Sequence, residues 1–198
     1  MKLHALMMGF ALIASVATAN TYEVETKNSR LQWVGSKVIG ESHNGTVTFK
    51  KGTITFEKDL PKSAHFWVDM TTIKNDDITN ATYNQKLVGH LKSADFFAVD
   101  KHPTAELIVD SFKKNRDASY NASGTLKIKN ITHPITFKAM IDQKKNTLTT
   151  EAKFDRTKYD IRYRSAKFFA NLGDKIISDD VKLQAKVQFK KSVKIGKK

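Results

Sequence analysis

Apolar and polar residues alternate along most of this 198-residue chain. In the clearest run, an apolar residue and a lysine or glutamine take turns from Val181 to Lys190. Successive side chains of a β-strand point to opposite faces, so each such run predicts a strand with one apolar face. Eight or more of these runs, joined by short polar turns, predict an all-β chain with antiparallel pairing. A one-sided apolar sheet has to close on itself or pack on a second sheet, and long strands in meander order favour an up-and-down β-barrel of about eight strands.

The residues on the inward faces decide whether such a barrel is full. They mix large side chains with small ones, the large being Phe49, Phe66, Phe137 and Phe189 and the small Gly35, Ala122, Gly124, Ala139 and Ala185. A barrel of about eight strands is either filled by its own side chains or holds one small ligand. Small inward residues leave room for an internal apolar pocket, or they only fit the taper of the barrel. The alternation alone does not separate these two interpretations.

Three places depart from the alternation. Leu87 and Leu91 lie four residues apart among polar neighbours, which predicts a short amphipathic helix over residues 84–92. Residues 158–173 are too long and too aromatic for a plain turn, and ordered loops of this length are often functional. We expect the helix and this loop to cover one open end of the barrel. At Lys51-Gly52 we expect a tight hairpin turn between two strands.

The amino-terminal segment has the composition of a secretory signal. A basic start, an uncharged run from Ala5 to Ala19 and an Ala-Thr-Ala ending match a signal peptide over residues 1–19. We therefore expect a periplasmic or secreted protein whose residues 20–198 form a single domain. The chain has no cysteine, so buried apolar area and strand pairing have to stabilise the fold without disulfides.

The net charge of +14 allows three interpretations. Lysines spread singly along alternating strands are typical of a solvated strand exterior, where they also oppose edge-to-edge aggregation. Peripheral attraction to an anionic membrane surface is the second interpretation. Nucleic-acid binding is the third, but the lysines are not gathered into one block, so we expect no nucleic-acid partner.

The sequence contains no recognisable catalytic motif. It has no Gly-x-Ser-x-Gly, HExxH, P-loop or dinucleotide-binding pattern, and its histidines lie at no metal-ligand spacing. We therefore expect no enzymatic activity, no cofactor and no metal. His43 precedes Asn44-Gly45 at the start of an apolar-faced strand, and Asp155-Arg156 is a charge pair beside the long loop. Each of these polar groups is either a local structural contact or part of the mouth of a pocket.

Six segments, taken in order, resemble the motifs of the YceI-like family of periplasmic proteins over essentially the whole predicted mature chain. They are residues 43–49, 68–73, 90–103, 124–135, 156–161 and 173–183. The hallmark of the family resembles His90-Leu91-Lys92-Ser93-Ala94-Asp95-Phe96-Phe97-Ala98-Val99, followed by Pro103. Each segment is weak alone, but six in order are specific. The chain departs from the usual pattern at Leu107, where Phe is common, and at Tyr159-Asp160, where an aromatic residue and Gly are common.

The resemblance implies a lipocalin-like antiparallel barrel with one short helix and an elongated apolar pocket. Family members bind polyisoprenoid chains, quinone-like molecules or long fatty-acid amides, and no reaction is implied. We therefore expect this chain to bind and carry a long-chain amphiphile without catalysis. The identity of the ligand does not transfer, because both departures from the pattern can reshape the pocket.

The predicted binding residues form two groups. The apolar tail is expected to lie among Phe49, Phe66, Val68, Leu87, Leu91, Phe97, Phe137 and Phe189, and the polar head near His43, Asp95, Arg156 or Tyr163. The alternative function is that of a basic surface-binding protein with a filled barrel, which recognises anionic lipid, glycan or a protein partner. The sequence also leaves open whether the barrel forms a homodimer.

Overall fold

A computed structural model describes residues 19–192, which form nine β-strands and one α-helix. The elements are β1 (Ala19–Val24), β2 (Arg30–Ser36), β3 (Ser42–Glu57), β4 (Leu60–Asn75), α1 (Ala81–Lys92), β5 (Thr104–Lys114), β6 (Tyr120–Ile128), β7 (Ile131–Asp142), β8 (Thr147–Asp155) and β9 (Asp180–Lys191). Short 3-10 helices lie at Thr26–Asn28, Arg156–Tyr159 and Gly173–Lys175. Of the predicted signal segment, residues 1–18 lie outside the described part of the chain, and Ala19 begins β1.

The strands close into an antiparallel barrel, as predicted. Their order is β1-β3-β2-β9-β8-β7-β6-β5-β4, and pairing between β3 and β4 completes the ring. β1 and β2 share one position in this ring, because both pair with β3 on one side and with β9 on the other. The nine strands therefore occupy eight positions around the barrel.

The predicted amphipathic helix is α1, which begins three residues earlier than expected. The side chain of Asn80 accepts a hydrogen bond from the Tyr83 amide at 3.2 Å and so caps the first turn. Leu91 is buried and Leu87 is partly buried against the barrel core. None of the helices within residues 19–192 is long and apolar enough to cross a membrane.

The hairpin predicted at Lys51-Gly52 is wrong. β3 is one continuous strand, and its pairing with β4 shifts register between Phe49 and Lys51. This shift is a β-bulge, in which one extra residue reverses the alternation without a turn. Phe49 and Gly52 consequently both face the interior, and a Cβ on Gly52 would lie 2.9 Å from the Phe66 ring.

Two β-hairpin turns have positive φ at both central residues, which is the geometry of a type I′ turn. They are Lys58-Asp59, at 49° and 63°, and Lys129-Asn130, at 51° and 62°. The sequence from Asn130 to Pro134 predicts a turn in which Pro134 opens the next strand. The turn instead begins at Lys129, and Pro134 lies inside β7, where it pairs with Thr125.

The two ends of the barrel differ. At one end the strands are joined by short hairpins, and Tyr22, Phe56 and Phe189 pack inside it with ring centroids 5.1 to 5.7 Å apart. We call this cluster the aromatic plug. The other end carries α1, the turn that follows it and the loop between β8 and β9. The barrel is therefore closed by side chains at one end, which the sequence analysis did not predict. A helix and a loop cover the other end, as predicted.

Candidate functional site

An apolar cavity of about 140 Å³ lies in the half of the barrel beneath α1. Inward side chains of the strands form its wall, and residues of the helix and the following turn form its roof; these include Leu31, Trp33, Val68, Leu126 and Leu183 in the wall and Leu91, Phe96 and Phe97 in the roof. The cavity is partly open to solvent. We call it the upper cavity.

A second apolar cavity, of about 90 Å³, lies between the upper cavity and the aromatic plug. The two cavities share the lining residues Leu31, Val68, Ala105, Leu126 and Leu183, so they are adjacent, and we call the two together the channel. Along β9 the lining runs from Val181 to Val187, which is about 20 Å of strand at ~3.3 Å per residue. The usual tilt of barrel strands reduces this to roughly 15 Å along the barrel axis. We call this second space the lower cavity.

Small inward residues account for part of this space. Gly35 lines the upper cavity, and a Cβ built on it meets no atom within 4 Å. Ala152 and Ala185 line the lower cavity and keep accessible surface although they point inward. By contrast, Ala122 and Ala139 are 0% exposed and fully packed. Both interpretations of the small residues therefore hold, each for different positions in the barrel.

The predicted tail residues divide between the two cavities and two other places. Val68, Leu91 and Phe97 line the upper cavity. Val68 also lines the lower cavity, together with Phe49, Phe66 and Phe137. Leu87 packs against the core from α1 without lining either cavity, and Phe189 belongs to the aromatic plug.

Arg156 borders the upper cavity, but its donors are already engaged. The side chain is 2% exposed, and its three nitrogens donate hydrogen bonds to the carbonyl oxygens of Ser178, Ile161 and Ile177 at 3.0, 2.8 and 3.1 Å. Burial lowers the pKa of this guanidinium, while the nearby Asp179 carboxylate opposes the shift. The planar fork of arginine thus satisfies three backbone carbonyls and fixes the loop between β8 and β9.

Asp155 stabilises the start of the same loop. Its carboxylate accepts a hydrogen bond from the Thr157 amide at 2.9 Å and another from Lys167 Nζ at 2.7 Å. Burial by itself would raise the pKa of Asp155, but the hydrogen bonds from Lys167 and Thr157 together outweigh it and lower the pKa. The Asp155-Arg156 pair is therefore a structural support for the loop over the channel.

Asp95 and Tyr163 meet at the covered end of the barrel through His90 of α1. The His90 Nε2 atom lies 3.0 Å from the Asp95 carboxylate. Its ring packs edge-on against Phe96 and Tyr163, with centroids 4.9 and 4.6 Å away. Phe96 in turn lines the upper cavity. The helix, the turn after it and the long loop are therefore joined at one aromatic contact over the channel.

His43 lies apart from the channel. Its Nδ1 atom is 2.8 Å from the Asp77 carboxylate, which also accepts a hydrogen bond from the buried Asn75. This network joins the start of β3 to the segment that precedes α1, so His43 has a structural contact and lines neither cavity. Across residues 19–192, no group of three His, Asp or Glu side chains is placed to hold a metal ion.

Sequence reasoning missed part of the lining. Trp33 and Leu183 lie on inward faces that the alternation identifies, so the pattern could have included them. Ile177 and Ser178 come from the irregular loop between β8 and β9, and they reach the upper cavity because Arg156 holds their carbonyl groups. No periodicity in the sequence marks these two residues.

Comparison with known sequences places the whole barrel in one family. Residues 22–189 match the YceI-like domain. The chain is 30% identical over 138 residues to a UPF0312 protein of Pseudomonas putida strain F1, and the alignment covers 68% of this chain and 69% of that protein. It is 31% identical over 150 residues to Protein YceI of Escherichia coli O6:H1, and the alignment covers 71% of this chain and 73% of that protein.

Solved structures share the fold at lower sequence identity. BcnA of Burkholderia cenocepacia has a TM-score of 0.64 and 18% identity, covering 83% of this chain and 98% of that one. A polyisoprenoid binding domain from Saccharophagus degradans has a TM-score of 0.58 and 13% identity, covering 86% of this chain and 98% of that one. With its sequence matched from the first strand to the last, this chain belongs to the YceI-like family.

Proposed function

We propose that this protein binds and carries a long-chain apolar amphiphile, with the tail inside the barrel and without catalysis. The observation that carries the proposal is the channel formed by the upper and lower cavities. An engineered apolar cavity of about 150 Å³ in another protein stays dry and binds benzene. An upper cavity of about 140 Å³ therefore has room for a similar width of hydrocarbon.

The hydrophobic effect would supply most of the affinity, at about 25 cal/mol per Å² of apolar surface removed from water. The head group is expected to stay at the covered end, since Arg156 beside the upper cavity donates to backbone carbonyls instead. Asp95 and Tyr163 are the predicted polar residues that lie at that end. His43 is paired with Asp77, so we expect no direct role for it in binding.

The relatives and the composition support the same proposal. The Saccharophagus degradans neighbour is described as a polyisoprenoid binding domain, and we propose a ligand of that general class: a polyisoprenoid, a quinone-like lipid or a fatty-acid amide. The signal-like composition of residues 1–19 supports a periplasmic or secreted location. There a closed barrel would shield the tail from water while the protein carries the ligand.

Organic extraction followed by mass spectrometry tests the proposal directly. The protein is purified from its native host without detergent, and the extract is compared with that of a second exported protein purified in parallel. A long-chain molecule present at about one per protein supports the carrier function and identifies the cargo. If nothing apolar is recovered and the protein also fails to take up the fluorescent apolar probe N-phenyl-1-naphthylamine, the carrier function is wrong.

The alternative function, a basic surface-binding protein, assumes a filled barrel. The two cavities are evidence against a filled barrel. A basic surface-binding protein would show steeply salt-dependent binding to an anionic lipid, glycan or protein and would retain no apolar ligand. Uptake of the apolar probe that is insensitive to salt would therefore favour the carrier.

A further inference from the structure

Exposed apolar side chains are concentrated at the covered end of the barrel. Eight large apolar side chains are exposed in the described part of the chain, and four of them lie in two loops at this end. Val38 and Ile39, in the loop between β2 and β3, are 61% and 75% exposed. Phe168 and Phe169, in the loop between β8 and β9, are 46% and 49% exposed. Exposed apolar groups that cluster in this way mark an interaction surface.

The two loops form one connected surface, which we call the rim (residues 37–41 and 160–178). The Val38 amide donates a hydrogen bond to the Ile176 carbonyl at 3.0 Å. The next residue, Ile177, donates to the Arg164 carbonyl at 3.0 Å. The Phe168 amide donates to the Ser165 carbonyl at 3.0 Å. The apolar pairs of the two loops are therefore held in a single backbone network.

The rim is continuous with the channel. Gly35, two residues before the first loop begins, lines the upper cavity, and so does Ile177 of the second loop. A surface that binds the rim thus lies beside the open part of the upper cavity. This position fits a partner that supplies or receives an apolar tail.

Cationic side chains accompany the apolar pairs. The Arg162 guanidinium lies 4.9 Å from the centre of the Phe168 ring. Arg164 and Lys175 have no ion-pair partner among residues 19–192, so their charges are available to an anionic partner. The whole chain carries +14, which adds long-range attraction of the same sign. Aromatic side chains beside Arg and Lys are typical of surfaces that lie in the headgroup region of an anionic bilayer.

We propose that the rim docks on an anionic lipid bilayer, with Phe168, Phe169, Val38 and Ile39 inserted among the lipids and the neighbouring cations at the headgroups. Docking itself does not require a cargo. Its purpose, the exchange of a tail between bilayer and channel, rests on the proposed function. A bilayer accounts for the apolar pairs and the free cations together, whereas a small soluble anion would account only for the cations.

Vesicle flotation tests the docking. Full-length mature protein is mixed with vesicles of phosphatidylcholine and phosphatidylglycerol, and separately with vesicles of pure phosphatidylcholine. We expect binding to the mixed vesicles that weakens at high salt, and much weaker binding to the neutral ones. Replacing both half-exposed aromatics, Phe168→Ser with Phe169→Ser, should weaken the partition by roughly 10- to 30-fold, from the apolar area withdrawn from the bilayer. Lys175→Gln should weaken it by about fivefold.

Matched control variants lie at the opposite end of the barrel. Leu60 and Met140 are 53% and 60% exposed, near the hairpins of the plugged end, so Leu60→Ser with Met140→Ser removes as much exposed apolar surface away from the rim. Lys144→Gln, in the turn between β7 and β8, removes one exposed charge away from the rim. Both controls should bind vesicles as the parent protein does. Equal losses in the control and rim variants, or no binding of the parent protein to mixed vesicles, would overturn the docking.

Uptake of N-phenyl-1-naphthylamine by delipidated protein in the absence of vesicles separates this inference from the carrier function. Normal uptake without vesicle binding would refute the docking and leave the carrier function standing. Rim-dependent vesicle binding without any uptake would support the docking and refute the carrier function. The Phe168→Ser, Phe169→Ser variant should take up the probe normally, because neither side chain lines a cavity.

Discussion

Filling the channel from Gly35 should raise stability and lower ligand affinity at the same time. This glycine lines the upper cavity on the inward face of β2, and a Cβ on it meets no atom within 4 Å. Its φ lies outside the left-handed region, so an L side chain fits without backbone strain. In Gly35→Leu the new side chain would therefore enter empty apolar space. Stability and ligand affinity should therefore change in opposite directions.

The size of both effects follows from the cavity. Full burial of a leucine side chain contributes about 1.5–3 kcal/mol, and immobilising it costs roughly 0.5–1 kcal/mol, so the net gain in the free energy of unfolding should be about 1–2 kcal/mol. A cavity of about 140 Å³ holds little more than a small hydrocarbon ring, and four added carbons would occupy much of it. The dissociation constant for an apolar tail should consequently rise at least about tenfold, which is ~1.4 kcal/mol.

The measurement compares thermal unfolding with uptake of N-phenyl-1-naphthylamine, both on delipidated protein, because a retained ligand would itself raise the melting temperature. Gly89→Ala is the matched control, since Gly89 also has no atom within 4 Å of its Cβ position but lies on the exposed face of α1. In Gly89→Ala the free energy of unfolding should rise by up to about 1 kcal/mol, because alanine has the higher helix propensity. This variant should bind the probe normally. Normal probe affinity in Gly35→Leu would refute the channel as the binding site, and a loss of stability would refute the open space beside Gly35.

Three further predictions concern the framework around the channel. Replacing Lys58-Asp59 by Asn-Gly should raise the free energy of unfolding by about 1 kcal/mol, because both positions have the positive φ that Asn and Gly tolerate. Thermal unfolding should show this as a melting temperature higher by roughly 2–4 °C. The pKa of Asp155 is lowered in the folded state. Its ionised form therefore adds to the free energy of unfolding above the ordinary aspartate pKa of about 3.9, and this contribution is lost as pH falls through the lowered pKa. Asp155→Asn, which removes the charge facing Lys167, should be less stable than the parent at neutral pH and converge with it in acid when thermal unfolding is followed against pH. Arg156→Met should lower the free energy of unfolding, measured with denaturant, by at least about 3 kcal/mol, because three loop carbonyls lose their hydrogen-bond donor. For the same reason, trypsin should cleave the bond after Arg164 more readily in this variant.

The architecture follows from alternation, and the errors arise where alternation changes phase. The run from Val181 to Phe189 maps directly onto β9, with its apolar residues inside. The bulge at Phe49 reverses the phase inside β3, and from sequence a reversal beside a glycine resembles a turn. The true turn, at Lys58-Asp59, lacks the glycine or asparagine that usually marks a type I′ hairpin. Local composition therefore favoured the wrong position.

The candidate site was less predictable than the fold. Alternation shows which residues face inward, but it does not show how far along the barrel axis each of them lies. Phe137 and Phe189 both face inward, yet one lines the lower cavity and the other closes the barrel in the aromatic plug. From sequence, Arg156 is either a local structural contact or a polar group at the mouth of a pocket. In the structure it is buried, and its donors bind loop carbonyls. Asp160 occupies a position where a glycine is common in the family, and its φ of 57° supplies the physical reason for that preference.

The two ends of the barrel are stabilised differently, and under the proposed function this difference predicts the end at which a ligand would enter. The plugged end is closed by aromatic side chains, of which Phe56 and Phe189 are almost completely buried. At the covered end, the buried side chains of Leu91 and Phe96 line a cavity that is partly open to solvent. Polar contacts also hold this end, namely the hydrogen bonds of Arg156, the Asp155–Lys167 pair and the His90–Asp95 contact. Hydrogen bonds exchanged for water cost about 0.5–1.5 kcal/mol each and can open one at a time. The rings of the plug are packed on one another, so exposing its two buried phenylalanines together costs several kcal/mol. Local opening should therefore occur at the covered end, beside the rim, while the plug stays closed.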